Sequence, residues 1–170
     1  MDFDKALDAE SINPGDHIFE KLISGMYLGE IVRRLLLKLA EDAALFGDNI
    51  PSRLREPYVL TTPNISAMHQ DTSCDLNVVE CTLKNVFGIS HIPLRTWKLV
   101  IELCDIVAVR AARLAGAGIV GILNKLGRDV IGETSKMRTF VAIDGGLYEH
   151  YPLFRHNMQS FVKEFLEVSF

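Results

Sequence analysis

The chain has 170 residues, 48% of them hydrophobic, and a formal charge of −4 spread over interspersed acids and bases. That length carries one domain burying roughly two thirds of its unfolded surface. The charge pattern offers no basic patch interleaved with aromatics, so the footprint of a nucleic-acid binder is missing.

In chain order, the acidic start MDFDKALDAES is unlike a signal peptide, and a cytosolic protein is expected. Asn13-Pro14 reads as a helix start, with Asp16 favouring the helix's positive end. Ile18, Phe19, Leu22, Ile23, Met26, Ile31, Val32, Leu35, Leu36 and Leu39 then recur at helical spacing and predict one long helix. Gly25 and Gly29 inside it need a reason, and close approach by another backbone or a ligand is one. Residues 47–57 read as a loop, and Tyr58-Val59-Leu60-Thr61-Thr62 as a strand or extended arm stopped by Pro63. Residues 75–87 predict a helix ending near Gly88, and Pro93 opens the next. In that next helix Trp97, Val100, Cys104, Val107, Ala108, Ala111, Ala115, Ile119 and Ile122 mark one face. Glu102, Asp105, Arg110 and Arg113 make residues 99–123 fail as a membrane span. A charged connector with Gly132 leads to an apolar strand, Thr139-Phe140-Val141-Ala142-Ile143, ending at Asp144-Gly145-Gly146. Residues 158–168 close the chain as a helix with Phe161, Phe165 and Leu166 turned inward. Cys74, Cys81 and Cys104 lack C-x-x-C spacing and read as reduced thiols, for which buried packing is the common role.

Gly116, Gly118 and Gly121 fall on the G-x-G-x-x-G spacing of dinucleotide-binding proteins. That motif needs a strand running into its first glycine, so that pyrophosphate meets free N–H groups at a helix N-terminus. Here VAVRAARLA places Gly116 in mid-helix, and small residues packing tightly on a neighbour are the better reading. The nucleotide reading stays as the alternative, with Asp144 where a ribose-binding acid is expected.

Other candidates are local. Asp144-Gly145-Gly146 after a strand is either a plain surface turn or a place where backbone approaches a phosphate or sugar. Glu20 lies one and two turns before Ser24 and Tyr27, and its carboxylate has the two acceptors that neighbouring sugar hydroxyls would use. Thr61, Thr62, Asn64 and Ser66 around Pro63 either hold ribose and phosphate or serve as ordinary caps. The five histidines have no metal spacing, so no protein-built metal site is expected, and neither Ser66 nor Ser135 sits in a nucleophile elbow.

Four blocks then occur in the order of one family: NPGDHIFEKLISGMYLGEIVRR (residues 13–34), SAMHQDTS (66–73), RAARLAGAGIVGILNKLGRD (110–129) and VAIDGGLYEHYPLF (141–154). Together they resemble the large domain of eukaryotic hexokinases, with wording nearest the plant members. The resemblance implies a helix-rich α/β fold, a partial large domain of the actin-like ATPase (ribonuclease-H-like) type, as one unit over residues 1–170 without the small domain. It implies ATP, carried as its Mg2+ complex, and glucose or another hexose as substrates, with transfer to the 6-hydroxyl. Glu20 of the F-E-K triplet would hold sugar hydroxyls. Gly25 and Met26, the latter through backbone only, and Thr62, Pro63, Asn64, Ile65 and Ser66 would contact nucleotide, with Asp144 and Gly145 near it.

The sequence departs from the family by lacking an N-D-T-V-G-T-like block with the catalytic aspartate, a D-x-G-G-T-N-like phosphate loop and a second sugar-binding glutamate. A G-S-G-x-G-A-A block is also missing. The expectation is an enzyme portion inactive by itself, or a non-catalytic sugar- or nucleotide-binding regulator, with apolar faces that favour self-association.

Overall fold

A computed structural model describes residues 2–128 and 139–166. Gly132, Ser135 and the last two residues of the expected final helix lie outside them. The chain forms two compact units, Met1–Ala108 and Val109–Phe170.

The first unit runs through α1 (Asp2–Ala9), α2 (Ile18–Ile23), α3 (Leu28–Ala43), a 3-10 turn (Ser52–Arg55), α4 (Thr62–His69) and α5 (Asn77–Phe87). It also takes the first half of α6 (Leu94–Lys125). α3 is its centre: it packs on α1 and α4, and α4 packs on α5. Leu28, Ile31, Val32 and Leu36 give α3 its buried stripe, against which Leu7, Leu54, Ile65 and Met68 are also fully enclosed. Each such side chain contributes roughly 1.5–3 kcal/mol of burial. α5 ends as expected, at Gly88 with φ 73° and its N–H bonded to the last-turn carbonyls of Leu83 and Lys84.

Three expectations are corrected. The long helix expected from Asn13 begins only at Ile18, with His17 as N-cap, and is two helices, because residues 24–27 turn between α2 and α3; Ile18 and Phe19, expected inside, are 54% and 48% exposed. Residues 58–62 form no strand. Tyr58 has φ 60°, Thr61 is the N-cap of α4, and Pro63 lies in its first turn, where a missing N–H costs nothing. Residues 139–143 form no strand either, since a ladder needs a partner backbone and none is paired there; Phe140 is 88% exposed.

The cysteines divide: Cys104 is buried on α6, where desolvation pushes its thiol up to about 12, while Cys74 and Cys81 are exposed. α6 is also more apolar than its charges suggested. Between Asp105 and Lys125 only Arg110 and Arg113 interrupt it, and by length and composition it could cross a membrane, its most apolar 18 residues having a mean hydropathy of 1.8 and being 39% buried.

The second unit holds the rest of α6, α7 (Gly146–His150) and α8 (Pro152–Leu166). Leu123, Val162 and Leu166 form a buried cluster with Ile119 and Val120 packed on it. Phe165, expected inside, is 59% exposed and stacks on Phe161 at 4.4 Å between ring centroids. Ile122 also faces out, at 63%.

The glycines of AGAGIVG sit within α6, not at a helix start, so their N–H groups present no phosphate cradle. Gly116 is where α8 comes closest: a Cβ there would stand 2.9 Å from Phe161 Cδ1 and 3.3 Å from the Met158 carbonyl oxygen. Gly121 faces open space. Gly116→Val is therefore expected to destabilise by about 1–3 kcal/mol through overpacking. Gly121→Ala should stabilise by up to ~1 kcal/mol through helix propensity. Urea unfolding of the two variants checks the contrast; equal effects would mean that the spacing, not the contact, matters.

Candidate functional site

α2 is short and points its two charged residues in opposite directions. The Glu20 side chain is 64% exposed, with His17 Nδ1 3.5 Å from Oε2. Lys21 is only 2% exposed; its ammonium donates to Asp8 Oδ1 and to the Asn13 carbonyl, each at 2.6 Å. Asp8 also accepts the Gly15 N–H with both oxygens, at 3.1 and 3.0 Å. The Lys21 hydrogen bond, then that of Gly15, holds the Asp8 carboxyl below its usual 3.8. The NPGDHIFEK stretch is thus wrapped around one buried ammonium, a role its wording did not reveal.

Glu20, Ser24 and Tyr27 do not share a helix face, since α2 stops at Ile23. Ser24 caps α2 through its N–H to the Glu20 carbonyl at 2.8 Å and receives the Met26 N–H on Oγ at 3.4 Å. Tyr27 turns inward, its ring edge-on to Tyr58 at 6.2 Å. Gly25 and Met26 form the turn between α2 and α3, with Met26 55% exposed.

At the start of α3 two backbones touch. A Cβ on Gly29 would overlap the Leu60 carbonyl oxygen and stand 2.6 Å from the Thr61 carbonyl carbon, so only glycine fits. The Gly29 N–H donates to Thr62 Oγ1 at 3.2 Å, in the interior. Glu30 is fully buried and accepts from Arg33 Nε (2.7 Å) and Nη2 (2.5 Å), Arg34 Nε (2.8 Å) and the Tyr58 N–H (2.7 Å). Burial pushes its carboxyl up, but the Arg33 hydrogen bond, the Tyr58 N–H and the two guanidinium charges outweigh that and hold it below 4.5.

The contact joins the first turn of α3 to residues 60–62 at the start of α4. There Asn64 Oδ1 accepts from the Thr61 N–H and hydroxyl at 3.1 and 2.7 Å, and Ser66 Oγ accepts from Gln70 Nε2 at 2.9 Å. Ile65 is fully buried and Pro63 is exposed. Asp144 and Gly145 belong to the second unit, both exposed; Gly145, at φ 129°, is the N-cap of α7, and its carbonyl accepts from Tyr148 and Glu149 N–H groups.

Glu20, the 24–27 turn and residues 62–66 line neither of two open pockets found among the described residues. The one of about 350 Å³ gathers Arg33, Arg34, Lys38 and Arg55, yet each cation already faces a carboxylate: Glu30, Glu10, Asp42 or Glu41.

The sequence profile of the hexokinase family matches residues 1–169. Hexokinase-2 of Oryza sativa subsp. japonica is 57% identical over 165 residues, 97% of this chain and 33% of that protein. The chloroplastic Hexokinase-2 of Nicotiana tabacum is 55% identical over 166 residues, again 97% and 33%. The structure matches the hexokinase from Schistosoma mansoni complexed with glucose at a TM-score of 0.85 and 33% identity, over 97% of this chain and 35% of that one. The chain therefore spans about a third of the length of the relatives it matches. Its helices are those of part of a hexokinase domain of the actin-like ATPase fold, as the four sequence blocks implied. By profile, identity and fold together, this chain belongs to the hexokinase family.

Proposed function

We propose that the chain is the part of a hexokinase that holds the hexose through Glu20 and the adenine nucleotide through the 24–27 turn and residues 62–66. The observation that carries this is the Gly29 contact, which sets the starts of α3 and α4 side by side. Two helix N-termini together favour phosphate oxygens through their partial positive charge. Glu20 is exposed on α2, beside His17, and would offer its two carboxylate oxygens to adjacent sugar hydroxyls. Mg2+ would arrive with ATP as part of the substrate. For Asp144 and Gly145, in the second unit, a nucleotide role rests on the family resemblance alone.

Phosphoryl transfer to a hydroxyl also needs a base that orients and deprotonates it. No N-D-T-V-G-T-like block supplies one within these 170 residues. A general base is worth ~10²- to 10⁴-fold, so the 170-residue chain by itself should bind and not turn over. The test has two arms. Purified chain is assayed for ATP-dependent glucose 6-phosphate, where turnover like that of a full-length relative would overturn the inactivity. Glucose is then titrated into wild type and Glu20→Ala. Loss of a charge-assisted hydrogen-bonding carboxylate should weaken binding by about 10- to 100-fold. Saturable glucose binding without turnover is also what a non-catalytic sensor would show, and Glu20→Ala with unchanged affinity removes both readings.

A further inference from the structure

We infer that Thr62 and Gly29 act on the nucleotide as a positioning pair, the Thr62 hydroxyl serving as the internal acceptor of the Gly29 N–H. This rests on the nucleotide reading above and refines it. Thr62 is 6% exposed, and its Oγ1 already receives the Gly29 N–H, one of the N–H groups that the first turn of α3 leaves without an intrahelical partner. Its neighbours are similarly engaged: Asn64 caps α4 and Ser66 is bonded to Gln70. The pair thus holds the start of residues 62–66 against the first turn of α3, whatever atoms of that stretch meet the ligand.

The lock has two parts with different chemistry. Gly29 permits contact by lacking a Cβ: the atoms a Cβ would strike, Leu60 O and C and Thr61 C, are all backbone and cannot swing aside. Thr62 then fixes direction, because a hydroxyl accepts one N–H along a defined line. Valine at position 62 keeps the shape and removes the acceptor, leaving a buried N–H unpaired. Serine keeps the acceptor and drops a methyl group.

The experiment uses the 170-residue chain, titrated calorimetrically with ADP and in parallel with glucose, and followed by amide hydrogen exchange at position 29. Thr62→Val should speed exchange of the Gly29 amide and weaken ADP by about tenfold, the loss of one buried hydrogen bond. Glucose affinity should stay at the wild-type value, and Thr62→Ser should restore ADP affinity. Gly29→Ala, which attacks the contact from its other side, should reproduce the selective loss. If wild type and Thr62→Val bind ADP equally while the Gly29 amide is freed, the positioning role is overturned and the nucleotide reading stands. If wild type binds no ADP, the nucleotide reading itself fails. Parallel loss of glucose and ADP in Thr62→Val marks general unfolding and also overturns the inference.

Discussion

Glu30→Ala is expected to destabilise the protein by about 3–5 kcal/mol, as removal of one member of a buried ion pair does elsewhere. Glu30 is the shared acceptor of Arg33, Arg34 and the Tyr58 N–H, with no solvent exposure of its own. Without it Arg33, 3% exposed, keeps only the Leu54 carbonyl at 2.6 Å. Against a total stability of ~5–15 kcal/mol, that loss is large enough to leave much of the population unfolded. Urea denaturation measures it, and an effect below ~1 kcal/mol would mean that water reaches the cluster and screens it. The same group sets an acid limb. Its folded-state pKa is depressed, so its contribution is complete above the unfolded value of 4.5 and is lost as pH falls through the folded one. Glu30→Gln has no proton to take up and should flatten that limb of the stability profile.

Lys21→Met is expected to cost about as much glucose affinity as Glu20→Ala, ~10- to 100-fold, although Lys21 would touch no sugar. α2 has six residues, below the length at which a helix holds itself together in water. Its order comes from the Lys21 ammonium between Asp8 and the Asn13 carbonyl. Methionine keeps the buried stem and removes the charge, so α2 and the loop before it should loosen while α3 to α5 hold. Hydrogen exchange would show fast amides confined to residues 10–23. Unchanged glucose affinity with that loop loosened would show that Glu20 needs no fixed scaffold.

What the sequence revealed follows from where the determining contacts lie. α5 with Gly88, and α6 after Pro93, are marked by local punctuation and a long apolar stripe, and both were legible. The reason for Gly29 was legible in kind, as close approach of another backbone, though not which one. The break between α2 and α3 was not, because Ile18 to Leu39 keeps a continuous helical period across the turn. What interrupts it is a pair of long-range anchors, Lys21 to Asp8 and Glu30 to Tyr58. Residues 58–62 misled for another reason: a β-rich run weighed more than Thr61 three positions before Asn64, with Pro63 between them, a helix-start signal that was present and local. The ligand residues came from family resemblance, since a lone exposed glutamate and a proline-centred polar cluster carry little information by themselves.

The Tyr58 N–H bond to Glu30 has a consequence for how acid would enter the molecule. Tyr58 stands at φ 60°, a strained conformation for a side chain of its size, and its buried hydroxyl has no hydrogen-bond partner among the described residues. Nothing local repays that cost; the carboxylate of Glu30 does. Protonating Glu30 therefore weakens the hold on Tyr58, and with it on the four residues that lead into α4. Loss of register at the start of α4 is expected before loss of the core, so a binding defect would appear below pH 4.5 while the protein is still folded.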